Sequence, residues 1–166
     1  INDQYIRACI NNYVDFETSD KVQPRIALVD IDGTVADHCN QRSPFDWSKV
    51  SNDKPRSYVI ETLNALYNFG SIDFIQFLSG RESICYEDTK LWLQNVAGFD
   101  MNKHRLLMRQ RRDNRKDVII KSEIYENCIK DKYEVKFVFD DRNQVVDYWW
   151  DQNLPVFHVG DYRNVF

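Results

Sequence analysis

The stretch Asp30-Ile31-Asp32-Gly33-Thr34 constrains the fold of this chain more than any other feature of its sequence. It follows an apolar run, residues 26–29, whose branched side chains are typical of a buried strand in a parallel sheet. Alternate side chains of a strand share a face, so Asp30 and Asp32 are expected to point the same way, and Gly33 permits a sharp turn. Two carboxylates this close raise the free energy unless a positive group joins them, and a divalent cation is the simplest partner.

Strand-like and helix-like segments alternate along the chain, which predicts an α/β fold with a parallel sheet and helices on both faces. The predicted strands are residues 26–29, 72–78, 105–108, 135–139 and 155–159. The predicted helices are residues 55–69, with Pro55 in the first turn, 87–97, 117–130 and 143–152. Residues 35–54 are predicted to be a loop with a turn of helix near residues 46–50.

The chain has 166 residues, which suits one ordinary domain with a real core, and its net charge of −4 neither favours nor excludes nucleic acid. Residues 1–16 have helix-like spacing and are followed by a polar linker. No apolar run is long enough to cross a membrane, and no signal-peptide pattern opens the chain. The cysteines lie far apart, so we expect reduced thiols in a cytosolic setting: Cys9, Cys39, Cys85 and Cys128.

Charged and hydroxyl side chains come directly after three of the predicted strands. They are Asp30 and Asp32, then Ser79 and Arg81, then Asp140, Asp141 and Arg142. Ligands of parallel sheets bind outside the carboxyl ends of the strands, so these side chains should converge. Carboxylates with Mg²⁺ suit phosphate chemistry, in which one acid attacks phosphorus and a second transfers the proton. Ser79 and a lysine would hold the phosphoryl oxygens, and we favour Lys121 over Lys116 because Asp117 lies four residues before it.

These residues, in this order, resemble the four motifs of the haloacid dehalogenase (HAD) superfamily of phosphotransferases. Residues 41–46, 79–83, 115–121 and 140–146 more closely resemble the 3′-phosphatase domain of bacteriophage T4-type polynucleotide kinase–phosphatases. The resemblance covers roughly residues 24–160 and implies a HAD-like Rossmannoid three-layer fold without a large cap domain. It also implies that residues 1–23 are the remnant of a preceding kinase domain and that residues 24–166 form the phosphatase domain.

The family implies a role for each matching position. Asp30 resembles the nucleophile, and Asp32 resembles the general acid/base, which also offers its backbone carbonyl to Mg²⁺. The other matches are Ser79 and Lys121 for phosphate binding, Asp140 and Asp141 for the metal together with Asp30 and Asp32, and Arg42, Arg81, Asp117, Thr34 and Arg142 for the substrate. Which of Asp140 and Asp141 contacts the metal stays open. The segment between Thr34 and Arg42 looks one residue longer than in the family, which makes Arg42 the weakest match.

The resemblance implies a Mg²⁺-dependent phosphoric monoester hydrolase that removes 3′-phosphate from DNA or RNA ends through an aspartyl-phosphate, in nucleic-acid repair. The choice between DNA and RNA and any opening of 2′,3′-cyclic phosphate stay open. The implied setting is the cytoplasm, the host's if the protein is viral, and the implied partners are a 5′-kinase domain and a nucleic-acid ligase. The phosphate-binding loop of such a kinase does not occur in this sequence, so we expect no kinase activity from this chain.

Two features of the sequence indicate a polymeric substrate. About 45 residues separate the first motif from Ser79, too few for a large inserted cap, and residues 103–116 hold seven of the chain's basic side chains. Two alternatives stay open, namely a small-molecule HAD phosphatase and a non-catalytic nucleic-acid-binding module. Blander interpretations also exist: Lys121 as a surface lysine, Arg42 and Arg81 as structural ion pairs, and the basic run as a solvated face.

Overall fold

The computed structural model describes residues 22–39, 41–43 and 46–160, and its centre is a five-stranded parallel sheet. The strands are β1 (Arg25–Val29), β4 (Phe74–Glu82), β5 (Arg105–Arg109), β6 (Glu134–Asp140) and β7 (Val156–His158). Two short strands, β2 (Ala36–Asp37) and β3 (Lys54–Pro55), form a separate antiparallel pair. The order across the main sheet is β5-β4-β1-β6-β7, which places β1 in the middle with Asp30 at its carboxyl end.

Both faces of β1 are covered, as its uninterrupted apolar sequence predicts. Ala27 and Val29 lie in one core with side chains of α1 (Ser57–Asn68) and α2 (Tyr86–Asn95). Ile26 and Leu28 lie in a second core with side chains of α3 (Asp117–Ile124) and α4 (Asn143–Asp151). This arrangement of helix, sheet and helix layers confirms the predicted α/β fold class.

The boundaries of three predicted elements need correction. Pro55 is not in the first turn of a helix; it pairs with Ala36 in the β2–β3 ribbon, and α1 begins at Ser57. The predicted helix over residues 117–130 is α3 followed by a π-helical turn, Tyr125–Ile129. The predicted turn of helix near residues 46–50 is a 3-10 helix, Trp47–Asn52.

Strand β4 continues past Leu78, where the sequence predicted an end, and it is irregular there. Ser79 is opposite Met108, but the next residue of β4 paired with β5 is Glu82, opposite Arg109. Gly80 and Arg81 are therefore extra residues of a bulge, a device that turns side chains away from the regular alternation of a strand. The bulge gives Arg81 its direction toward the end of β1, described below.

Between Asp30 and Phe74, the described part of the chain holds only the β2–β3 ribbon, the 3-10 helix and α1, with no inserted cap domain. None of the helices among the described residues is long and apolar enough to cross a membrane. The predicted helix over residues 1–16 falls outside the described residues, and the division of the chain at residue 23 stays a prediction.

The expectation of reduced thiols is confirmed for two of the four cysteines, Cys39 and Cys85, of which the first is exposed and the second buried. Cys128 is buried, and Cys9 lies outside the described residues.

Candidate active site

Lys121 lies in the centre of the site and is not a surface lysine. Its side chain is 1 % exposed, and Nζ lies 2.7 Å from Asp30 Oδ1 and 2.8 Å from Asp140 Oδ2. Asp117, one helical turn earlier on α3, lies 3.3 Å away through Oδ2. Burial opposes the charged ammonium, but these three carboxylates hold the pKa of Lys121 well above its usual value. The site therefore keeps a fixed positive charge next to Asp30 across the physiological pH range.

Asp141 completes a cluster of three carboxylates with Asp30 and Asp140. One oxygen from each lies within 4.8 Å of the others, which is close enough for all three to bind one metal ion. Asp141 Oδ1 is buried without a hydrogen-bond partner, and a buried polar atom of this kind normally has one. Gly33 makes room for Asp141, because a Cβ at residue 33 would lie 2.0 Å from Asp141 Oδ2. We call Asp30, Asp140, Asp141 and Lys121 the acid centre.

The residues of the acid centre fit a divalent cation such as Mg²⁺ in charge and in ligand type. Three carboxylates and one ammonium leave two formal negative charges uncompensated, and hard oxygen ligands are the ones that Mg²⁺ prefers. Burial, opposed by Lys121 but helped by Asp140, raises the pKa of Asp30 well above its usual value. Burial and the Asp140 carboxylate likewise raise the pKa of Asp141 to about 6. Both shifts express the cost of holding these acids together without a cation.

The carboxylate of Asp32 lies outside the acid centre, and the sequence prediction assigned only its backbone carbonyl to the metal. Arg81 holds it in a two-pronged ion pair, Nε to Oδ2 at 2.7 Å and Nη2 to Oδ1 at 2.8 Å, and Arg42 Nη2 donates to Oδ1 at 2.7 Å. Burial alone would raise the pKa of Asp32, but the two guanidinium groups lower it. Only the predicted contribution of its backbone carbonyl to the metal stays open as a prediction.

Asp53 is the residue of this site that the sequence did not reveal. It accepts hydrogen bonds from Arg42 Nε and Nη2 and from Arg81 Nη2, each at 2.7 Å. Its backbone carbonyl accepts a hydrogen bond from Trp92 Nε1 at 2.8 Å, which fixes the end of the 3-10 helix against α2. We call Asp32, Asp53, Arg42 and Arg81 the arginine network, and both of its arginine side chains are almost completely buried.

The remaining predicted site residues lie around these two clusters. Thr34 Oγ1 donates to Asp30 Oδ2 at 3.2 Å, and the backbone N–H of Arg142 donates to Asp140 Oδ1 at 3.2 Å. The Arg142 side chain is half-exposed, with Nη1 3.8 Å from Asp117 Oδ2. Ser79 is buried and accepts a hydrogen bond from the backbone N–H of Arg81 at 3.1 Å. Because Val29 is opposite Phe77, Ser79 lies level with the end of β1 on the adjacent strand.

The predicted basic run divides into paired and unpaired side chains. Arg109 is largely buried and pairs with Asp117 at 3.2 Å, and Arg115 pairs with Asp113 and Glu123. Arg105 lies over the ring of Phe74 and donates to Tyr133 Oη, and Lys103 lies 3.5 Å from Asp100. Four of the seven basic side chains of this run therefore have partners within the protein.

The two clusters together can support transfer of a phosphoryl group to a carboxylate. Asp30 lies at the end of β1 beside Lys121, and a carboxylate in this position can act as a nucleophile. Lys121 supplies fixed positive charge where a phosphoryl oxygen would develop negative charge, and the arginine network holds a second carboxylate two residues away.

Comparison with known proteins gives three kinds of match. A family model described as the polynucleotide kinase PNKP phosphatase domain matches residues 24–162. A relative from Autographa californica nuclear polyhedrosis virus, a putative bifunctional polynucleotide kinase/RNA ligase, is 38 % identical over 152 residues, which are 90 % of this chain. The chain spans only 21 % of the length of that relative.

Solved structures show the same relationship. A chain in the structure of a Pnkp1/Rnl/Hen1 complex is 34 % identical with a TM-score of 0.74, over 91 % of this chain and 52 % of that one. A second structure, of a Pnkp1/Rnl/Hen1 RNA repair complex, matches with the same identity and TM-score and is covered to 48 %. The class C acid phosphatase of Bacillus anthracis is only 14 % identical with a TM-score of 0.56, over 96 % of this chain and 74 % of that one, so it shows a shared fold alone.

Proposed function

Because the chain belongs to the family of polynucleotide kinase–phosphatase (PNKP) phosphatase domains, and is thereby a phosphoric monoester hydrolase of the HAD superfamily, we propose that it removes the terminal 3′-phosphate from RNA ends. The family fixes a role in processing nucleic-acid ends, and the choice of the 3′ end follows the resemblance of the motifs. RNA is preferred over DNA because the relatives are described by an RNA ligase and an RNA repair complex.

The observation that carries this proposal is the position of Lys121 between Asp30 and Asp140. Asp30 Oδ attacks the phosphorus atom, and the bond from phosphorus to the 3′ oxygen breaks, which leaves an aspartyl-phosphate and a 3′-hydroxyl. Lys121, 2.7 Å from Asp30 and deprived of water, offsets the negative charge that spreads over the phosphoryl oxygens. Ser79, one residue past the position opposite Asp30 on the adjacent strand, would hold the same oxygens.

Asp32 transfers the proton in this proposal. It donates a proton to the leaving 3′ oxygen, then takes one from the water that attacks the aspartyl-phosphate and releases inorganic phosphate. The two arginines favour its ionised form at rest, which suits the second step. The first step requires a higher pKa, and the negative phosphoryl group entering beside Asp32 acts in that direction.

Asp30, Asp140 and Asp141 would hold Mg²⁺, which when bound neutralises charge on the phosphoryl oxygens and on the acids themselves. Asp32 would join them only through its backbone carbonyl. Thr34 orients Asp30, and the half-exposed Arg142 would orient the substrate. The buried Asp117 would act on the substrate through its ion pairs with Lys121 and Arg142. The 5′-kinase and ligase activities with which this reaction must cooperate are proposed to lie in other domains or proteins, as in the relatives.

Phosphate release from a set of substrates tests the proposal. A 12-nucleotide RNA with a 3′-phosphate should release phosphate in Mg²⁺ and not in chelator, faster than the same DNA and much faster than a free nucleoside 3′-monophosphate. Asp30→Asn should abolish release, whereas Asp73→Asn, which alters an exposed ion pair with Arg25 at the opposite edge, should not. Full activity of Asp30→Asn would refute the mechanism, and equal rates for RNA and free nucleotide would favour a small-molecule phosphatase.

A further inference from the structure

The loop of residues 110–116 lies beside the proposed site, because it joins β5 to α3. Strand β5 ends at the same edge of the parallel sheet as β1, and α3 carries Lys121. Asp117, directly after the loop, is an ion-pair partner of Lys121, and a Cβ at Gly80 would lie 2.0 Å from its Oδ1. We call residues 110–116 the basic loop.

The basic loop is held in shape from inside by Arg109. Its Nη1 donates to the backbone carbonyls of Asp113 at 3.0 Å and Arg115 at 2.9 Å, and its Nη2 donates to Asp117 Oδ1 at 3.2 Å. The backbone N–H of Arg112 donates to Glu82 Oε2 at 3.0 Å, which ties the loop to the end of β4. A loop with these bonds loses little conformational entropy when it binds a ligand.

Three cationic side chains of the basic loop project into solvent and take no part in the hydrogen bonds that hold the loop in shape. Arg111, Arg112 and Lys116 are exposed, and among the described residues none of their side chains forms an ion pair. Arg112 adopts a φ of +65°, a conformation that glycine or asparagine adopts more readily, so the arginine at this turn is not explained by the backbone. In a chain of net charge −4, three uncompensated cations beside an active site form a local positive surface.

We propose that Arg111, Arg112 and Lys116 bind the phosphate backbone of the single-stranded RNA that leads into the 3′ end, an inference that rests on the proposed function. Residues 110–116 contain no aromatic side chain on which a base could stack, so the contacts expected are with phosphates and carry no sequence preference. The side chains of Arg105, Arg109 and Arg115 stay committed within the protein and take no part.

Binding of an unphosphorylated RNA tests this proposal apart from catalysis. The probe is a fluorescent 12-nucleotide oligouridylate with a 3′-hydroxyl, titrated with the full chain between 50 and 200 mM salt. Three phosphate contacts by a single strand contribute a slope of about −2 to the plot of log affinity against log salt. The triple variant Arg111→Ala/Arg112→Ala/Lys116→Ala should lose about this much of the slope. Its loss of affinity relative to the wild type should therefore be roughly 16-fold larger at 50 mM than at 200 mM salt.

A matched control removes three cations at the opposite edge of the sheet. Lys103, Lys130 and Lys132 lie in the turns that lead into β5 and β6, and their joint change to alanine alters the net charge equally. The control variant should keep the slope, and both variants should hydrolyse a nucleoside 3′-monophosphate at the rate of the wild type. An unchanged slope in the loop variant, or an equal loss in the control, would overturn the proposal. Failure of the proposed function would appear instead as no phosphate release by the wild type.

Discussion

The acid centre and the arginine network lie side by side at the carboxyl edge of the sheet, but their charges are balanced differently. In the arginine network, two carboxylates form ion pairs with two guanidinium groups. Arg81 donates three hydrogen bonds and Arg42 Nη2 donates two to the carboxylates of Asp32 and Asp53, all of 2.7 to 2.8 Å. In the acid centre, three carboxylates share one ammonium, and Asp141 Oδ1 is left without a partner. The formal charges of the first cluster balance, whereas the second cluster keeps two negative charges that a bound cation would offset.

The shifts in pKa follow the same division. Two arginines lower the pKa of Asp32, while burial and neighbouring carboxylates raise those of Asp30 and Asp141. Asp30 and Asp32, two residues apart at the end of β1, thus have pKa values shifted in opposite directions. Such a difference allows two acids in one site to take different roles in a reaction. The contrast predicts that substitutions in the two clusters have different consequences.

The largest effect on stability and activity is expected from a change of Lys121, the one cationic side chain of the acid centre. Lys121→Met leaves Asp30 and Asp140 buried without a positive partner, which should cost about 3 to 5 kcal/mol of unfolding free energy in chelator. Phosphate release should fall by roughly 10²- to 10³-fold, because a charge aimed at the transition state is lost. Urea unfolding and steady-state kinetics measure the two quantities. The surface variant Lys136→Met, which changes an exposed pair with Glu134, should leave both unchanged.

A smaller loss of activity is expected when the arginine network loses a carboxylate that does not touch the substrate. Asp53→Ala leaves Arg42 and Arg81 with fewer partners, so Asp32 is held less firmly, and kcat/KM should fall by roughly 10- to 100-fold. Asp53→Asn retains the shape and should fall less. Because Asp32 is proposed to transfer a proton, the pH at which activity declines should also move. Wild-type kinetics and pH profile in Asp53→Ala would mean that the arginines position Asp32 unaided.

The smallest effect on stability is expected from His104, a buried titratable side chain that forms no ion pair in the described part of the chain. It serves as a reference for the two charged clusters. His104 accepts a hydrogen bond from the backbone N–H of Ile75 at 3.2 Å, and burial lowers its pKa to about 4. The unfolded chain therefore binds this proton more readily, and stability should be lost as the pH falls from about 6.5 to about 4. These two pKa values set an upper limit of about 3 kcal/mol on the loss, which should disappear in His104→Asn. Identical pH dependence in both proteins would contradict this assignment.

How much of this site the sequence predicts depends on whether a residue follows a strand. Asp30, Asp140 and Lys121 were predictable because strand ends converge at one edge and a helical spacing links Lys121 to Asp117. Asp53 was not, because it lies in a polar segment without periodicity and reaches Arg42 and Arg81 only through tertiary packing. The turning of Asp32 toward Arg81 depends on the bulge in β4, which no residue pattern in the sequence indicated.

The basic run shows the same limit in another way. Composition predicted a positive surface, but it does not distinguish Arg109, which is buried against Asp117 and two backbone carbonyls, from Arg111 and Arg112, which project into solvent. Pairing within the fold decides which cations remain available to a ligand. The fold class and the alternation of strands and helices depend on regular patterns and were predicted well, whereas the direction of individual charged side chains was not.

Binding of Mg²⁺ measured by isothermal titration calorimetry, without substrate, tests the contrast between the two clusters most directly. Wild-type protein and Asp53→Asn should bind one Mg²⁺ with similar affinity, since the arginine network is complete without a cation. Asp141→Asn, which removes one carboxylate of the acid centre, should weaken binding by at least tenfold or abolish it. Binding by Asp141→Asn as tight as that of the wild type, or loss of binding in Asp53→Asn alone, would contradict this account.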